Sequence, residues 1–159
     1  MNLKILSLVI IGVCILLPDV CYAFLEKDVH LLNMQNGLAD NTVSAVYKDK
    51  EGFVWFGTRN GLSRYDGRQI TNFERRNCYP GISNLKEVFD GVLAFVDNGV
   101  FSAFDLKKER FLSVVSSSGQ GIPSRGMLQR NDSLVWVISG SELHLMKRCA
   151  SCLLYTSPS

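Results

Sequence analysis

The chain has 159 residues, with 17 Lys or Arg, 15 Asp or Glu and a formal net charge of +2 at pH 7. Nucleic acids are bound largely through their phosphates, so this near-neutral balance gives no support for a nucleic-acid partner in this region; no basic stripe stands out beyond Arg75-Arg76 and Lys107-Lys108. After residue 23, no apolar run is long enough to be a transmembrane helix.

Residues 1–23 have the pattern of a secretory signal peptide. Lys4 supplies a positive charge, and Ile5 to Leu17 form an apolar run of 13 residues, which is short for a bilayer span. Cys21 and Ala23 place small residues at the −3 and −1 positions. We therefore expect cleavage after Ala23, with an uncleaved anchor as the alternative.

The first repeat, at about residues 37–76, has the pattern of a four-stranded antiparallel meander. Turn signals at Asp49 to Gly52, at Asn60-Gly61 and at Asp66-Gly67 separate short apolar runs. Asn-Gly between two strands is typical of a two-residue hairpin in which both positions take positive φ. The predicted strands are Val43 to Tyr47, Phe53 to Thr58, Leu62 to Tyr65, and Gln69 to Glu74.

Two less distinct repeats follow, at about residues 81–116 and 121–146. Their turns are predicted at Asp90-Gly91, Asn98-Gly99, Asn131-Asp132 and Gly140-Ser141. The strands of the second repeat are predicted at Leu85 to Phe89, Val92 to Asp97, Val100 to Phe104, and Arg110 to Val115. Those of the third are predicted at Gly126 to Gln129, Leu134 to Ser139, and Glu142 to Met146.

Marker residues recur at a period near forty. The recurring sets are Ser44, Ser83 and Ser124; Asn60-Gly61 and Asn98-Gly99; Asp66 and Asp105; and Phe73 and Phe111. Four short strands at this period are typical of β-propeller blades. A β-sandwich is the alternative, but Asn-Gly at one place in two units favours the propeller. We predict an all-β partial propeller of two and a half to three blades over residues 24–146.

Residues 147–159 do not continue the strand-and-turn pattern and resemble translated adapter sequence, so we expect that this tail is not native. It contains Cys149 and Cys152, whose C-x-x-C spacing is typical of redox motifs and half zinc sites. No second pair completes a zinc site. Cys78 is then the only mature cysteine outside the tail, and we predict no disulfide framework, metal or cofactor.

The residue types suit packing between blades. The runs Phe53 to Phe56 and Val92 to Val96 are apolar on both faces, as expected of strands buried on both sides. Trp55 and Trp136 are expected to bury large areas between blades. We expect Gly57 where neighbouring backbone or a bulky ring comes close, and Thr58 bonded to a turn amide.

Residues 37–73 resemble the two-component regulator propeller repeat. The matching positions are Gly37, Leu38, Asn41, Val43, Asp49, Gly52, Phe53, Val54, Trp55, Phe56, Gly57, Thr58, Asn60, Gly61, Leu62, Arg64, Tyr65, Asp66, Gly67 and Phe73. The second repeat has Leu93 to Val96 where the family prefers tryptophan and Gly-Thr. The third keeps Trp136 but has Ile138-Ser139 in place of Gly-Thr.

The resemblance implies the N-terminal periplasmic sensor region of a hybrid two-component sensor histidine kinase. Such proteins continue with a small β-sandwich, one membrane span, a kinase, a receiver and often a DNA-binding output domain. Their ligands are typically oligosaccharides released from glycans. We therefore expect a non-enzymatic fragment on the periplasmic side of the inner membrane, with an oligosaccharide ligand and the rest of the sensor as partners. A homodimer of the full-length sensor stays open.

No catalytic constellation is visible in the sequence. His30 and His144 lie far apart, and neither stands beside Ser or Cys in a recognisable motif. Aspartates recur near turns, and we interpret them as turn residues bonded to the local backbone, not as calcium ligands or acid/base groups. They are Asp49, Asp66, Asp90, Asp97 and Asp105.

Arg59, Arg64 and Tyr65 are the candidate ligand-binding residues. Arginine forks bind hydroxyl or carboxylate groups, and aromatic faces stack on sugar rings. The alternative is that Tyr65 packs between blades and both arginines are solvated.

Two other functions stay open: a secreted propeller enzyme, such as a lyase or glycosidase with carboxylates in its central channel, and a propeller scaffold for partner proteins. A downstream membrane span and kinase favours the sensor, whereas a closed propeller ending at a stop codon favours the enzyme. Because repeat units bury their faces against neighbours, we expect residues 24–146 alone to aggregate or to stay partly molten.

Overall fold

The computed structural model describes residues 30–75, 81–115, 120–148 and 152–156. The predicted signal peptide with its cleavage site at Ala23 lies outside these residues, as do Cys78 and Cys149. The chain divides into two compact units, Met1–Leu32 and Asn33–Ser159. In the first unit only residues 30–32 are described, and His30 is exposed.

Apart from one turn of 3-10 helix at Met34–Asn36, the regular structure of the described residues is all β. The strands are β1 Val43–Lys48, β2 Val54–Thr58, β3 Gly61–Tyr65, β4 Ile70–Glu74, β5 Ile82–Phe89, β6 Val92–Asp97, β7 Val100–Asp105, β8 Arg110–Val115, β9 Gly126–Asn131, β10 Leu134–Ser139, β11 Glu142–Arg148 and β12 Cys152–Thr156.

Each group of four strands forms an antiparallel meander in chain order. We call β1–β4 the first blade, β5–β8 the second and β9–β12 the third. The first strands are neighbours, because β1 contacts β5 and β5 contacts β9. This is the arrangement of inner strands around a propeller axis. At the outer side, β12 pairs in parallel with β8, which joins the second and third blades into one eight-stranded sheet.

The hairpin registers identify equivalent positions in the three blades. In each blade, the last residue of the second strand pairs with the first residue of the third strand. These pairs are Thr58–Gly61, Asp97–Val100 and Ser139–Glu142. Trp55, Ala94 and Trp136 each stand three residues before the end of that second strand. The two tryptophans therefore occupy equivalent places in separate blades, as a repeat predicts and a shared sandwich interior does not.

The prediction that Asn60-Gly61 forms the hairpin loop is wrong. The loop residues are Arg59 and Asn60, and of the Asn-Gly pair only Gly61 has positive φ, at 118°. The Thr58 hydroxyl accepts the Asn60 N–H at 3.2 Å and donates to the Gly61 carbonyl at 2.9 Å, so a side chain closes this turn. In the second blade Asn98 and Gly99 themselves form the loop, with φ of 49° and 73°.

The recurrence of Phe73 and Phe111 is not a structural equivalence either. Phe73 pairs with Leu62 and packs from the first blade, whereas Phe111 pairs with Phe104 and packs from the second blade into the same core. The connection that follows Asp105 is two residues longer than the one after Asp66, which shifts the register of β8.

The expectation that the strand pattern ends at Met146 is also wrong. β11 runs to Arg148, and β12 pairs antiparallel with it, so the third blade has four strands. The segment Cys152–Thr156 contains two residues that are common in strands, Tyr155 and Thr156, but no turn signal in the sequence precedes it. That the tail is not native stays a prediction.

Two hydrophobic cores lie between neighbouring blades. The first interface, between the first and second blades, buries Trp55, Leu62, Ile82, Leu85, Leu93, Phe95 and Phe104. The second interface, between the second and third blades, buries Val88, Phe89, Val92, Ala94, Phe101, Ala103, Ile122, Val135, Val137 and Met146. All six residues of β6 are buried, because alternate side chains face the two interfaces.

The outer face of the first blade is covered in part by the segment that precedes β1. The Ala39 N–H donates to the Ser63 hydroxyl at 3.2 Å, and the Asn72 side chain donates to the Gly37 carbonyl at 2.8 Å. Leu38 is buried there. Val54 and Phe56, which point to this face, are only half-buried. The prediction of burial on both faces is thus confirmed for β6 but only in part for β2.

Candidate ligand-binding site

The three candidate residues are not brought together. Arg64 faces the second blade, and its neighbour Tyr65 points to the opposite face of β3, where it is half-buried. Arg59 is exposed in the loop at the other end of β3. Of the three, Arg64 lines a cavity between the first two blades.

Arg64 is held by aromatic rings and one carboxylate. Its guanidinium carbon lies 4.9 Å from the centre of the Phe53 ring, 5.6 Å from that of Phe73 and 5.7 Å from that of Trp55. Its Nη1 donates to Glu109 Oε1 of the second blade at 2.7 Å. The side chain is 20% exposed. Arg64 therefore links the first two blades and presents little of its surface to a ligand.

A cavity of about 310 Å³ lies between the first two blades, beside the β1–β2 and β5–β6 turns. We call it the first cavity. Its walls are formed by Asp49, Lys50, Glu51, Phe53, Trp55, Arg64, Glu87, Asp90, Gly91, Leu106, Lys107 and Glu109. The sequence motif already includes four of these residues, namely Asp49, Phe53, Trp55 and Arg64. It did not identify the charged residues of the second blade as part of a site, because contacts between blades are not visible in the sequence.

Asp49 fixes one wall of the first cavity. Its Oδ1 accepts the N–H groups of Glu51 at 3.0 Å and Phe53 at 2.9 Å, and its Oδ2 accepts the Trp55 Nε1–H at 2.8 Å. The turn role predicted for Asp49 is confirmed, and the bond to Trp55 is an addition. One carboxylate thus fixes both the turn and the orientation of the buried indole.

The other aspartates divide into two groups. Asp66 and Asp105 each accept N–H groups from the residues two and three positions further on, which confirms their turn role. The bonds from Gln69 and then Arg68 lower the pKa of Asp66. Asp90 and Asp97 instead take part in ion pairs, with Lys107 at 3.3 Å and with Arg75 at 3.1 Å.

Glu87 is a further carboxylate of the first cavity, and its side chain is only 7% exposed. Its Oε1 accepts the Gly91 N–H at 3.0 Å and lies 3.4 Å from Lys50 Nζ. Its Oε2 is buried and has no hydrogen-bond partner among the described residues. The charge of Glu87 and its hydrogen bond raise the pKa of Lys50. Burial, and then the charge of Glu87, raise the pKa of Tyr47.

A second cavity, of about 500 Å³, adjoins the same carboxylate. Its walls are formed by Tyr47, Lys50, Glu87, Val88, Phe89, Asp90, Gln129 and Asp132, which come from all three blades. Lys50, Glu87 and Asp90 line both cavities and therefore form the wall between them.

The remaining chemistry-bearing residues form no centre within the part of the chain that the structure describes. His144 is half-buried, with Nε2 3.5 Å from Glu142 Oε2. No group of three or more His, Cys, Asp or Glu in these residues could hold a metal ion. In the same residues, no helix has both the length and the apolar character needed to cross a membrane.

Gly57 and Trp136 are two further positions for which the sequence predicts close packing. A Cβ on Gly57 would lie 2.8 Å from the Ile82 carbonyl oxygen, which confirms the close approach predicted there. Trp136 is half-buried: in the described residues its face of the third blade has no neighbouring blade, and Leu128 and Leu143 beside it are 63% and 55% exposed.

Comparisons with known proteins agree with this fold. The sequence model of the family described as "Two component regulator propeller" matches residues 37–60. Eleven chains of solved structures match. One is the extracellular domain of the putative one component system BT4673 from B. thetaiotaomicron, with 18% identity, a TM-score of 0.50, and coverage of 72% of this chain.

This chain spans only 15% of the length of that domain. No curated protein matches. The matched residues 37–60 include the β1–β2 hairpin with Asp49 and Trp55, which together form one wall of the first cavity. Residues 37–60 therefore resemble a repeat of the two component regulator propeller family, and they lie in the first blade of a partial β-propeller.

Proposed function

We propose that this chain is part of the periplasmic ligand-sensing propeller of a hybrid two-component signalling protein, and that its ligand is an oligosaccharide derived from a glycan. The observation that carries the proposal is the regulator propeller repeat at residues 37–60, placed in a blade that packs on a second blade of the same design. A partial propeller supplies binding surfaces between blades, where small ligands commonly bind.

The chemistry of the first cavity supports a polar ligand. Carboxylates, lysines and a guanidinium surround it, and aromatic side chains form part of its walls. Such groups accept and donate hydrogen bonds to hydroxyls, which are the main polar groups of a saccharide. A ligand there contacts the first blade and the second at once. Binding would therefore favour the arrangement in which the two blades are held together.

The gene that encodes the chain provides the decisive experiment. Sequencing the source genome through and beyond codon 146 should reveal an open reading frame with further repeats, a membrane span and a histidine kinase. A closed propeller followed by a stop codon would contradict the proposal and favour the secreted enzyme. A complete propeller fused to interaction modules without a kinase would favour the scaffold.

A binding measurement tests the ligand class. The chain, immobilised at low density so that it does not self-associate, is exposed to a panel of glycan-derived oligosaccharides in surface plasmon resonance. We expect saturable binding of at least one, weakened by Asp49→Asn, which loosens a cavity wall. Binding that Asp49→Asn leaves unchanged would place the ligand elsewhere.

A further inference from the structure

We propose that the wall shared by the two cavities binds a primary ammonium group of the ligand, in the place that the Lys50 ammonium holds in this structure. The inference rests on the proposed ligand-sensing function and specifies the charge of its ligand. It concerns three side chains of that wall, Lys50, Glu87 and Asp90.

The carboxylate of Glu87 is incompletely hydrogen-bonded. This side chain is more than nine-tenths buried and lines both cavities, yet its Oε2 has no hydrogen-bond partner among the described residues. Buried polar atoms are nearly always bonded in folded proteins, and an unmatched carboxylate oxygen is costly. A cation beside Oε1, where the Lys50 ammonium lies in this structure, offsets the charge of this incompletely bonded carboxylate.

The walls of both cavities carry a net negative charge. Carboxylates outnumber cations around both cavities, although the chain as a whole carries a net positive charge. Asp132 of the third blade adds a further carboxylate to the second cavity, and among the described residues of that wall Lys50 is the one basic side chain. A cationic ligand is therefore favoured over a neutral or anionic one.

Lys50 is held only weakly in its place. Its Nζ lies 3.4 Å from Glu87 Oε1 and 3.7 Å from Asp90 Oδ1, and its side chain is 72% exposed. Because Lys50 is exposed and both of its contacts are long, a ligand ammonium that takes over the same two contacts can replace it at small cost. Lys50 then acts as a tethered competitor for the ligand.

The geometry favours an ammonium over the other cationic group common in ligands. A guanidinium binds best to both oxygens of one carboxylate, and Glu87 Oε1 already accepts the Gly91 N–H. An ammonium is a compact charge with three donors that can reach separate acceptors. A neutral hydroxyl would leave the carboxylates of the wall without a cation once Lys50 had moved away.

The experiment compares two disaccharides of the same linkage. The β-1,4-linked disaccharide of glucosamine carries two amines where cellobiose carries hydroxyls. Both are titrated over the immobilised full chain by surface plasmon resonance at pH 6. We expect the amine-bearing disaccharide to bind at least about tenfold more tightly, which corresponds to about 1.4 kcal/mol. The preference should shrink as salt is added.

Two variants and a control locate the effect. Glu87→Gln should abolish the preference for the amine, and Lys50→Met should strengthen amine binding severalfold, because the competitor is gone. Glu74→Gln removes an exposed carboxylate that lines neither cavity, and it should change nothing. If Glu87→Gln fails to fold, Lys50→Met decides the matter alone.

Each other outcome overturns the inference. Equal binding of the two disaccharides, or binding of cellobiose only, would leave a saccharide-sensing propeller in place but refute the ammonium site. Unchanged or weaker amine binding in Lys50→Met would refute the competitor role of Lys50. Absence of binding by either disaccharide would refute the ammonium site, while the proposed sensor would still be tested by the gene sequence.

Discussion

The first and second interfaces use different chemistry for the same task. The first is built from aromatic rings, including Trp55 against Phe73 and Phe104 with ring centres 5.6 Å apart in each pair. The second is largely aliphatic, with Ala94 at the place that Trp55 occupies in the first blade. Repeated blades thus keep their strand register while the packing between them changes.

The edges of the two interfaces differ as well. In three ion pairs that join the first two blades, the first blade supplies the cation and the second the anion: Lys50–Glu87, Arg64–Glu109 and Arg75–Asp97. The second interface is instead supported by backbone bonds, such as those of Phe101 to Ile122 and Ser124 to Gly99, and by pairing of β8 with β12. We therefore expect the stability of the first interface to depend more strongly on salt concentration than that of the second.

The largest expected effect comes from the two tryptophans at equivalent positions. Trp55 is 1% exposed in the first interface, so Trp55→Ala should lower the free energy of unfolding by about 3–5 kcal/mol. Trp136→Ala should cost clearly less, because Trp136 is only half-buried. Urea denaturation of both variants measures the difference. Equal losses would mean that the two tryptophans have equivalent burial.

A smaller effect is expected at Gly57. An added Cβ would meet the Ile82 carbonyl oxygen and side chain at 2.8 Å, so Gly57→Ala should cost about 1–3 kcal/mol of unfolding free energy. Gly126→Ala is the control, because its Cβ would meet only Ile138 Cδ1 at 3.9 Å. Denaturation midpoints of the two variants check this, and a neutral Gly57→Ala would show that the first two blades are further apart.

Removal of the ion pair of Arg64 should have a modest effect on the free energy of unfolding. Arg64→Met removes the bond to Glu109 and the contacts with three rings but keeps an apolar chain, so we expect a loss of about 1 kcal/mol. The salt dependence of the unfolding free energy should also become shallower. Arg68→Gln, at an exposed turn position, serves as the control. An unchanged salt dependence in Arg64→Met would argue against electrostatic support of the first interface.

The smallest expected effect is on the pH dependence of stability, and it comes from the turn at Asp66. Hydrogen bonds lower the pKa of Asp66 in the folded state, so its contribution is present above the unfolded pKa of about 3.9. It is lost as the pH falls through the lower folded pKa. Asp66→Asn should therefore make the fall in unfolding free energy at acid pH slightly less steep. A fall steeper than that of the parent chain would contradict this.

Features that depend on local sequence were predictable. β6 and β10 have the bounds that alternation and flanking turns predicted, and Asp66 and Asp105 form the expected turns. These outcomes follow from residues a few positions apart, where backbone geometry and side-chain chemistry decide the structure.

Features that depend on neighbouring blades were not predictable. The pairing of Arg64 with Glu109 joins residues 45 positions apart, and Glu87 meets Lys50 from another blade. Even the Asn60-Gly61 turn was misjudged, because the Thr58 hydroxyl closes it. The sequence pattern predicts the blades, but the first cavity arises from the way in which two of them pack together.

The most direct test of the partial propeller is proximity of its aromatic rings in solution. With the two tryptophans selectively labelled, nuclear Overhauser spectra should show cross-peaks from the Trp55 indole to the rings of Phe73 and Phe104. Trp136 should show contacts within the third blade and none to Trp55. Cross-peaks between Trp55 and Trp136 would place both in one sandwich interior and contradict the arrangement of successive blades.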